Sequence, residues 1–206
     1  MNELWIDDII GEDFFGEGVS AKVVRNQLKG MDSNERVTVR INSPGGSVFD
    51  AVAIRSLLAE WPGGVDVRID GLAASAASYI ATIGETVTAA EGAFVMIHNP
   101  WSMVAGDAAA MRSEADLLDK VAGQLAAAYA AKTGTADAVW SKIMAEETWY
   151  DADEALEAGL VDVIAGRAPA KDKEKAAASA KRRLSATAMR NRLALTVQKF
   201  QGRINR

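Results

Sequence analysis

VTVRINSPGGSVFDAVAIRSLLAEWPGGVDVRIDGLAASAASYIATIG, residues 37–84, decides the architecture. VTVRI (37–41) and VDVRID (65–70) are short, β-branched runs that read as strands. Between them DAVAIRSLLAEW (50–61) reads as a helix, stopped by Pro62-Gly63-Gly64. NSPGGS (42–47) is a dense turn signal after the first strand, and ASAASYIATIG (74–84) is a helix of small residues after the second. Outward from this core, LWIDDI (4–9) is a strand, and SAKVVRNQLKGM (20–31) is a helix with Ser20 at its N-cap. ETVTA (85–89) and FVMIH (94–98) are strands. An alanine-rich helix spans 107–133 and is closed by Gly134; Met111, Leu117, Leu118, Val121, Leu125 and Tyr129 fall on one face with the spacing of a packed helix. ADAVWSKIMAEE (136–147) is a further helix, and DADEALEAGLVDVI (151–164) is a helix, a stop at Gly159 and a last strand. Such alternation predicts an α/β protein with parallel strands and right-handed crossovers.

The composition excludes several classes. With 206 residues, 49% hydrophobic and 25% charged, the chain is a globular domain with room for an appendage, not a disordered or fibrous protein. It has no cysteine and a single histidine, His98. That excludes a disulfide framework, a cysteine nucleophile and a multi-histidine zinc site, so neither metal nor cofactor is expected. The acidic start MNELWIDDIIGEDF lacks the basic region of a secretory signal, and no apolar run approaches the roughly 18 residues of a membrane span, so a cytoplasmic, membrane-free protein is expected. The net charge of −5 divides unevenly: residues 167–206 carry +10 and residues 1–166 carry −15. The expected division is a folded body over 1–166 and a basic tail over 167–206, a lysine- and alanine-rich linker followed by a possible short amphipathic helix over 184–200.

Three features bear chemistry. Ser75 opens the small-residue helix, where free N–H groups and the helix dipole favour developing negative charge; taken alone it reads as an N-cap. His98 ends a strand, where α/β proteins present functional groups. Asn42-Ser43-Pro44-Gly45-Gly46 follows a strand, and paired glycines let backbone N–H groups approach a ligand as in an oxyanion hole. The loop lacks the glycine–lysine–serine/threonine element of a phosphate loop.

In combination, INSPGGSV (41–48), GLAASAAS (71–78), VMIHNP (95–100) and EALEAGLVDVI (154–164) resemble the Clp protease proteolytic subunit (ClpP) family over roughly residues 37–164. The resemblance implies an α/β fold of the ClpP/crotonase type, a spiral of repeated β-β-α units with a long handle helix at 107–133, here followed by the basic tail. It implies a serine endopeptidase with Ser75 as nucleophile, His98 as general base, and the N–H groups of Gly46 and Ala76 as the oxyanion hole. Ser78 is the alternative nucleophile, one turn further on. The third triad member departs from the family's aspartate: Glu147 matches the position, with Asp151 and Glu146 as the other candidates. A homo-oligomeric ring, or two stacked rings, is implied as well.

The 41 residues before Asn42 do not match the family's N-terminal pore loop, and the basic tail is not a usual family ending. Both features resemble the ClpP-like head maturation proteases of tailed bacteriophages. That likeness implies ATP-independent cleavage of scaffold, capsid or its own chain, in the host cytoplasm or assembling prohead. The alternatives are a general proteolytic subunit working with an ATPase unfoldase, and an inactive scaffold of the same fold. Charge alone also allows the tail to touch nucleic acid, though a protein partner is favoured.

Overall fold

The computed structural model describes residues 2–12 and 16–167. The expected tail, beyond Arg167, and its linker and short helix lie outside the described residues. The elements follow in the order β1 (Asn2–Ile6), α1 (Ala21–Leu28), β2 (Val37–Ser43), α2 (Val48–Ala59), β3 (Val65–Ala74), α3 (Ala76–Ala81), β4 (Thr86–Ala89), β5 (Phe94–Ile97), α4 (Ala108–Thr133), α5 (Asp137–Ala145), β6 (Thr148–Asp151), α6 (Ala152–Glu157) and β7 (Val163–Ile164). The protein is α/β. Its sheet runs β1-β2-β3-β4-β7, all parallel, and β5 branches from β3.

β3 works as two strand segments in succession. Asp66–Ile69 pair with β4, whereas Leu72–Ala74 pair with β5. The β-β-α unit is realised in this way, and the second segment leads directly into Ser75. The sequence predicts the small-residue helix from 74; the strand instead runs on through Ala74, because pairing with Phe94–Met96 satisfies its backbone groups. β6 was not expected at all. It pairs antiparallel with β5, so the parallel rule fails for this one strand among those described. Thr148, Trp149 and Tyr150, three strand-formers in a row, are its signal.

One face of the sheet is apolar. Val37, Val39, Ile41, Val65, Val67 and Ile69 alternate inward and are buried against α2 (Ala51, Ile54, Leu58) and α3, all six residues of which are buried. The other face carries charge. Arg36 pairs with Asp66, and Arg40 and Arg68 converge on Asp70. The Arg40 guanidinium also lies 4.3 Å from the Trp5 ring centre. Hydrogen bonds from Arg40, with Arg68 adding to them, hold the Asp70 carboxyl below the usual aspartate range, and Arg36 does the same for Asp66. A carboxyl with a lowered folded pKa stabilises the fold above about pH 4 and loses that contribution as the pH falls through the folded value. Asp70→Asn is therefore expected to lower the urea midpoint near neutrality, by a difference that shrinks below about pH 4. An equal difference at both pH values would contradict this account.

Two local expectations change. Ser20 precedes α1 in an extended conformation, but its side chain makes no cap bond. The Ala21 N–H instead donates to Asp50 Oδ1 at 3.0 Å. On α4, Val121, Leu125 and Tyr129 are buried, whereas Met111 and Leu117 are 51% and 40% exposed. The expected packed face holds only for the second half of the helix, where Tyr129 meets the buried Trp140 of α5 at 5.3 Å between ring centres. No helix among the described residues is long and apolar enough to cross a membrane.

Candidate active site

Ser75 sits at the junction of β3 and α3 with φ 53° and ψ −122°, a left-handed backbone that disfavours any residue with a Cβ. Such a conformation costs about 1–3 kcal/mol and persists only where the surroundings hold it. Here the Ser75 N–H donates to Met96 O at 2.8 Å, and the Ser75 carbonyl accepts from the N–H groups of Ser78 and Tyr79. Ser75 does stand at the N-cap position of α3, but its side chain makes no cap bond. Its Oγ instead lies 2.7 Å from His98 Nε2. Ser75→Gly would relieve the strain, and it is expected to be more stable than Ser75→Ala by about 1 kcal/mol, or about 2–4 °C in Tm. Equal melting temperatures would contradict it.

His98 follows directly on β5, and β6 brings an acid to its other nitrogen. Ile97 faces Thr148 in the antiparallel register, so the next step puts His98 opposite Glu147. Glu147 Oε2 stands 3.9 Å from His98 Nδ1, and Glu147 Oε1 accepts a hydrogen bond from Trp149 Nε1 at 3.3 Å. Glu147 has φ 46°, the other non-glycine residue with positive φ among those described.

The remaining acids are placed elsewhere. Asp151 pairs with Phe94 at the far end of the same ladder, and its carboxylate caps α6 in a reciprocal capping box with Glu154. Glu146 is the C-cap residue of α5. Asp151→Ala is thus expected to cost about 1 kcal/mol of stability with activity intact, and Glu147→Ala to lower kcat/KM by about tenfold or more with little change in stability. Chemical denaturation and peptide hydrolysis on both variants check the pair; the reverse pattern would contradict the assignment. Ser78 is buried, donates to the Ser75 carbonyl and bonds Tyr129, so its hydroxyl is not presented to a substrate.

The glycine loop lies directly against the serine turn. A Cβ on Gly45 would come within 2.6 Å of Ala74 O, 2.8 Å of Ser75 Cβ and 3.0 Å of Ala76 N. Gly46 (φ 145°) is latched by the N-terminal segment: Ile10 N–H donates to Gly45 O and Ser47 N–H donates to Ile10 O, both at 2.8 Å. This support was missed because Ile10 lies just beyond the strand expected over 4–9, and nothing in the local sequence announces its bonds to the glycine loop. Neither the Gly46 N–H nor the Ala76 N–H, at the start of α3, has an acceptor among the described residues. Both belong to the wall of one cleft of about 600 Å³, which Ser75, His98, Leu125 and Tyr129 also line. A hydroxyl bonded to an imidazole, an acid behind it and unsatisfied N–H groups beside it can activate an oxygen nucleophile and stabilise an oxyanion.

Comparison with known proteins places the chain in a family. The family described as Clp protease matches residues 11–168, a span that contains Gly46, Ser75, Ala76, His98 and Glu147. The ATP-dependent Clp protease proteolytic subunit of Nuphar advena is 35% identical over 162 residues, covering 74% of this chain and 80% of that protein. That of Chaetosphaeridium globosum is 31% identical over 173 residues, 80% of this chain and 85% of its own. Proteolytic subunit 3 of Streptomyces coelicolor is 30% identical over 139 residues, 66% of this chain and 64% of its own, just under two thirds of that protein. A likeness of this extent makes the chain a member of the Clp protease family.

Proposed function

We propose that the protein is a serine endopeptidase in which Ser75 attacks, His98 carries the proton, Glu147 orients the imidazole, and the Gly46 and Ala76 N–H groups hold the oxyanion. The 2.7 Å contact between Ser75 Oγ and His98 Nε2 carries this reading. With Nε2 accepting the serine proton, Nδ1 bears its hydrogen on the side of Glu147. Ser75 Oγ bonds to the scissile carbonyl carbon as His98 takes the proton, and the carbonyl oxygen becomes an oxyanion. Collapse breaks the C–N bond, and His98 protonates the leaving amine. Water then enters by the same route, forming the carboxylic acid and freeing Ser75.

The finer reading is an ATP-independent protease of phage head maturation, acting on scaffold, capsid or its own chain. The contrast between the acidic body and the +10 stretch over 167–206 supports it. The names of the relatives equally support a proteolytic subunit that works with an ATPase. In either case the working form is a homo-oligomeric ring or a pair of rings, a reading supported by the exposed Met111 and Leu117 on the first half of α4. Hydrolysis of dye-quenched casein without nucleotide, combined with co-purification, tests these readings. Cleavage without ATP and capture of capsid components support head maturation. Cleavage only with a co-purified ATPase supports the subunit reading, and capsid capture with no cleavage supports an inactive scaffold.

A further inference from the structure

The buried hydroxyls of Ser78 and Tyr129 have no part in the mechanism above, yet they end on its reacting turn. Ser78 Oγ lies 2.7 Å from the Ser75 carbonyl oxygen and 2.8 Å from Tyr129 Oη. A carbonyl only accepts, so the one hydroxyl hydrogen of Ser78 goes to Ser75 O, and Tyr129 must be the donor to Ser78. The bonds therefore run in one direction, from Tyr129 O–H to Ser78 O–H to the Ser75 carbonyl. That carbonyl shares a planar peptide unit with the Ala76 N–H, and the two groups point in opposite directions. Holding the carbonyl inward aims the N–H outward, into the cleft.

We propose that Tyr129 and Ser78 are positioning residues which, through this one-way chain of hydrogen bonds, aim and polarise the 75–76 peptide unit so that the Ala76 N–H serves as an oxyanion donor. The inference rests on Ser75 as nucleophile and Ala76 as donor. Three bonds converge on the Ser75 carbonyl, from the N–H groups of Ser78 and Tyr79 and from Ser78 Oγ. Only the last extends to α4, so the helix that lines the cleft through Leu125 and Tyr129 also holds the strained backbone of the turn. Hydrogen bonds in series polarise one another, which strengthens the donor at the far end of the peptide unit. Both residues are 2% exposed, and their hydroxyls bond to each other and to the turn. Burial holds the Tyr129 phenol above the usual tyrosine range, which keeps it a donor through the physiological pH range.

The test is hydrolysis of a leucyl-coumarylamide peptide by the full chain, with thermal unfolding as the check on folding. Tyr129→Phe, which keeps the ring, and Ser78→Ala are each expected to lower kcat about tenfold or more with KM unchanged within about twofold. The double variant is expected to match Ser78→Ala, because one chain is cut in both cases. Affinity for a leucyl-aldehyde peptide, whose tetrahedral adduct carries the oxyanion, is expected to fall in step with kcat. Unchanged kcat, a loss confined to KM, or a double variant whose loss is the product of the singles would overturn the proposal. If Ser75→Ala is inactive and Tyr129→Phe is unaffected, only the positioning role falls. Turnover by Ser75→Ala, or an inert wild type, removes the nucleophile reading and this proposal with it.

Discussion

Ser75→Ala is expected to lower peptide turnover by about 10⁴–10⁶-fold and leave KM and the fold essentially unchanged. The size follows from the role. In the proposed mechanism Oγ is the atom that forms the acyl bond, so its removal leaves only the rate that the oxyanion donors and binding supply on their own. The fold is expected to survive because Ser75 is held by its backbone, through Met96 O and the start of α3, and its side chain caps nothing. His98→Ala should match it within about an order of magnitude, since a hydroxyl with no base beside it is a poor nucleophile. The two losses should not add in the double variant. Kinetics on the three variants check this, and a double variant far slower than either single would show that the two residues do not act as a unit.

Gly46→Ala is the second large effect, and it should strike activity and stability together. A Cβ at this position would lie 2.2 Å from Ile10 O, 2.9 Å from Ile10 N and 2.9 Å from Ile9 Cγ1, at a φ of 145° that L residues rarely adopt. The first contact is with a carbonyl that already accepts from the Ser47 N–H, so the loop and the N-terminal segment must separate. That displaces the Gly46 N–H from the cleft, and loss of one oxyanion donor costs about 10²–10³ in kcat. Breaking the latch is expected to cost about 2–4 kcal/mol of stability as well. Gly134→Ala is the control. That residue is also left-handed, at φ 69°, but its added Cβ meets nothing within 4 Å, so a modest stability loss with full activity is expected. Full activity in Gly46→Ala, measured as kcat on the folded fraction, would contradict the oxyanion assignment.

The strands and helices that carry Ser75, His98 and the glycine loop were legible because each is marked by local chemistry. VTVRI and VDVRID are β-branched, NSPGG is a turn signal, and the small residues after Leu72 allow a helix to pack tightly beneath a strand. The run of β3 on through Leu72–Ala74 was not legible, because small residues favour no conformation strongly and the choice is made by β5, some twenty residues away. β6 was missed for a related reason: four residues between two helices carry little periodicity, and their partner strand is distant in sequence. Missing β6 also kept the third acid open. Spacing could not separate Glu147 from Asp151, whereas the antiparallel register puts the first beside His98 and the second at the opposite end. The contact between Ser78 and Tyr129 spans 51 residues, and nothing in either local sequence announces it.

The central claim is that Ser75 is an activated nucleophile, and its most direct test is covalent labelling by a fluorophosphonate, read by intact mass. Wild type is expected to gain a single adduct, and Ser75→Ala and His98→Ala to gain none in the same time. An adduct on Ser75→Ala equal to that on wild type, or no adduct on the assembled wild-type protein, would contradict the account.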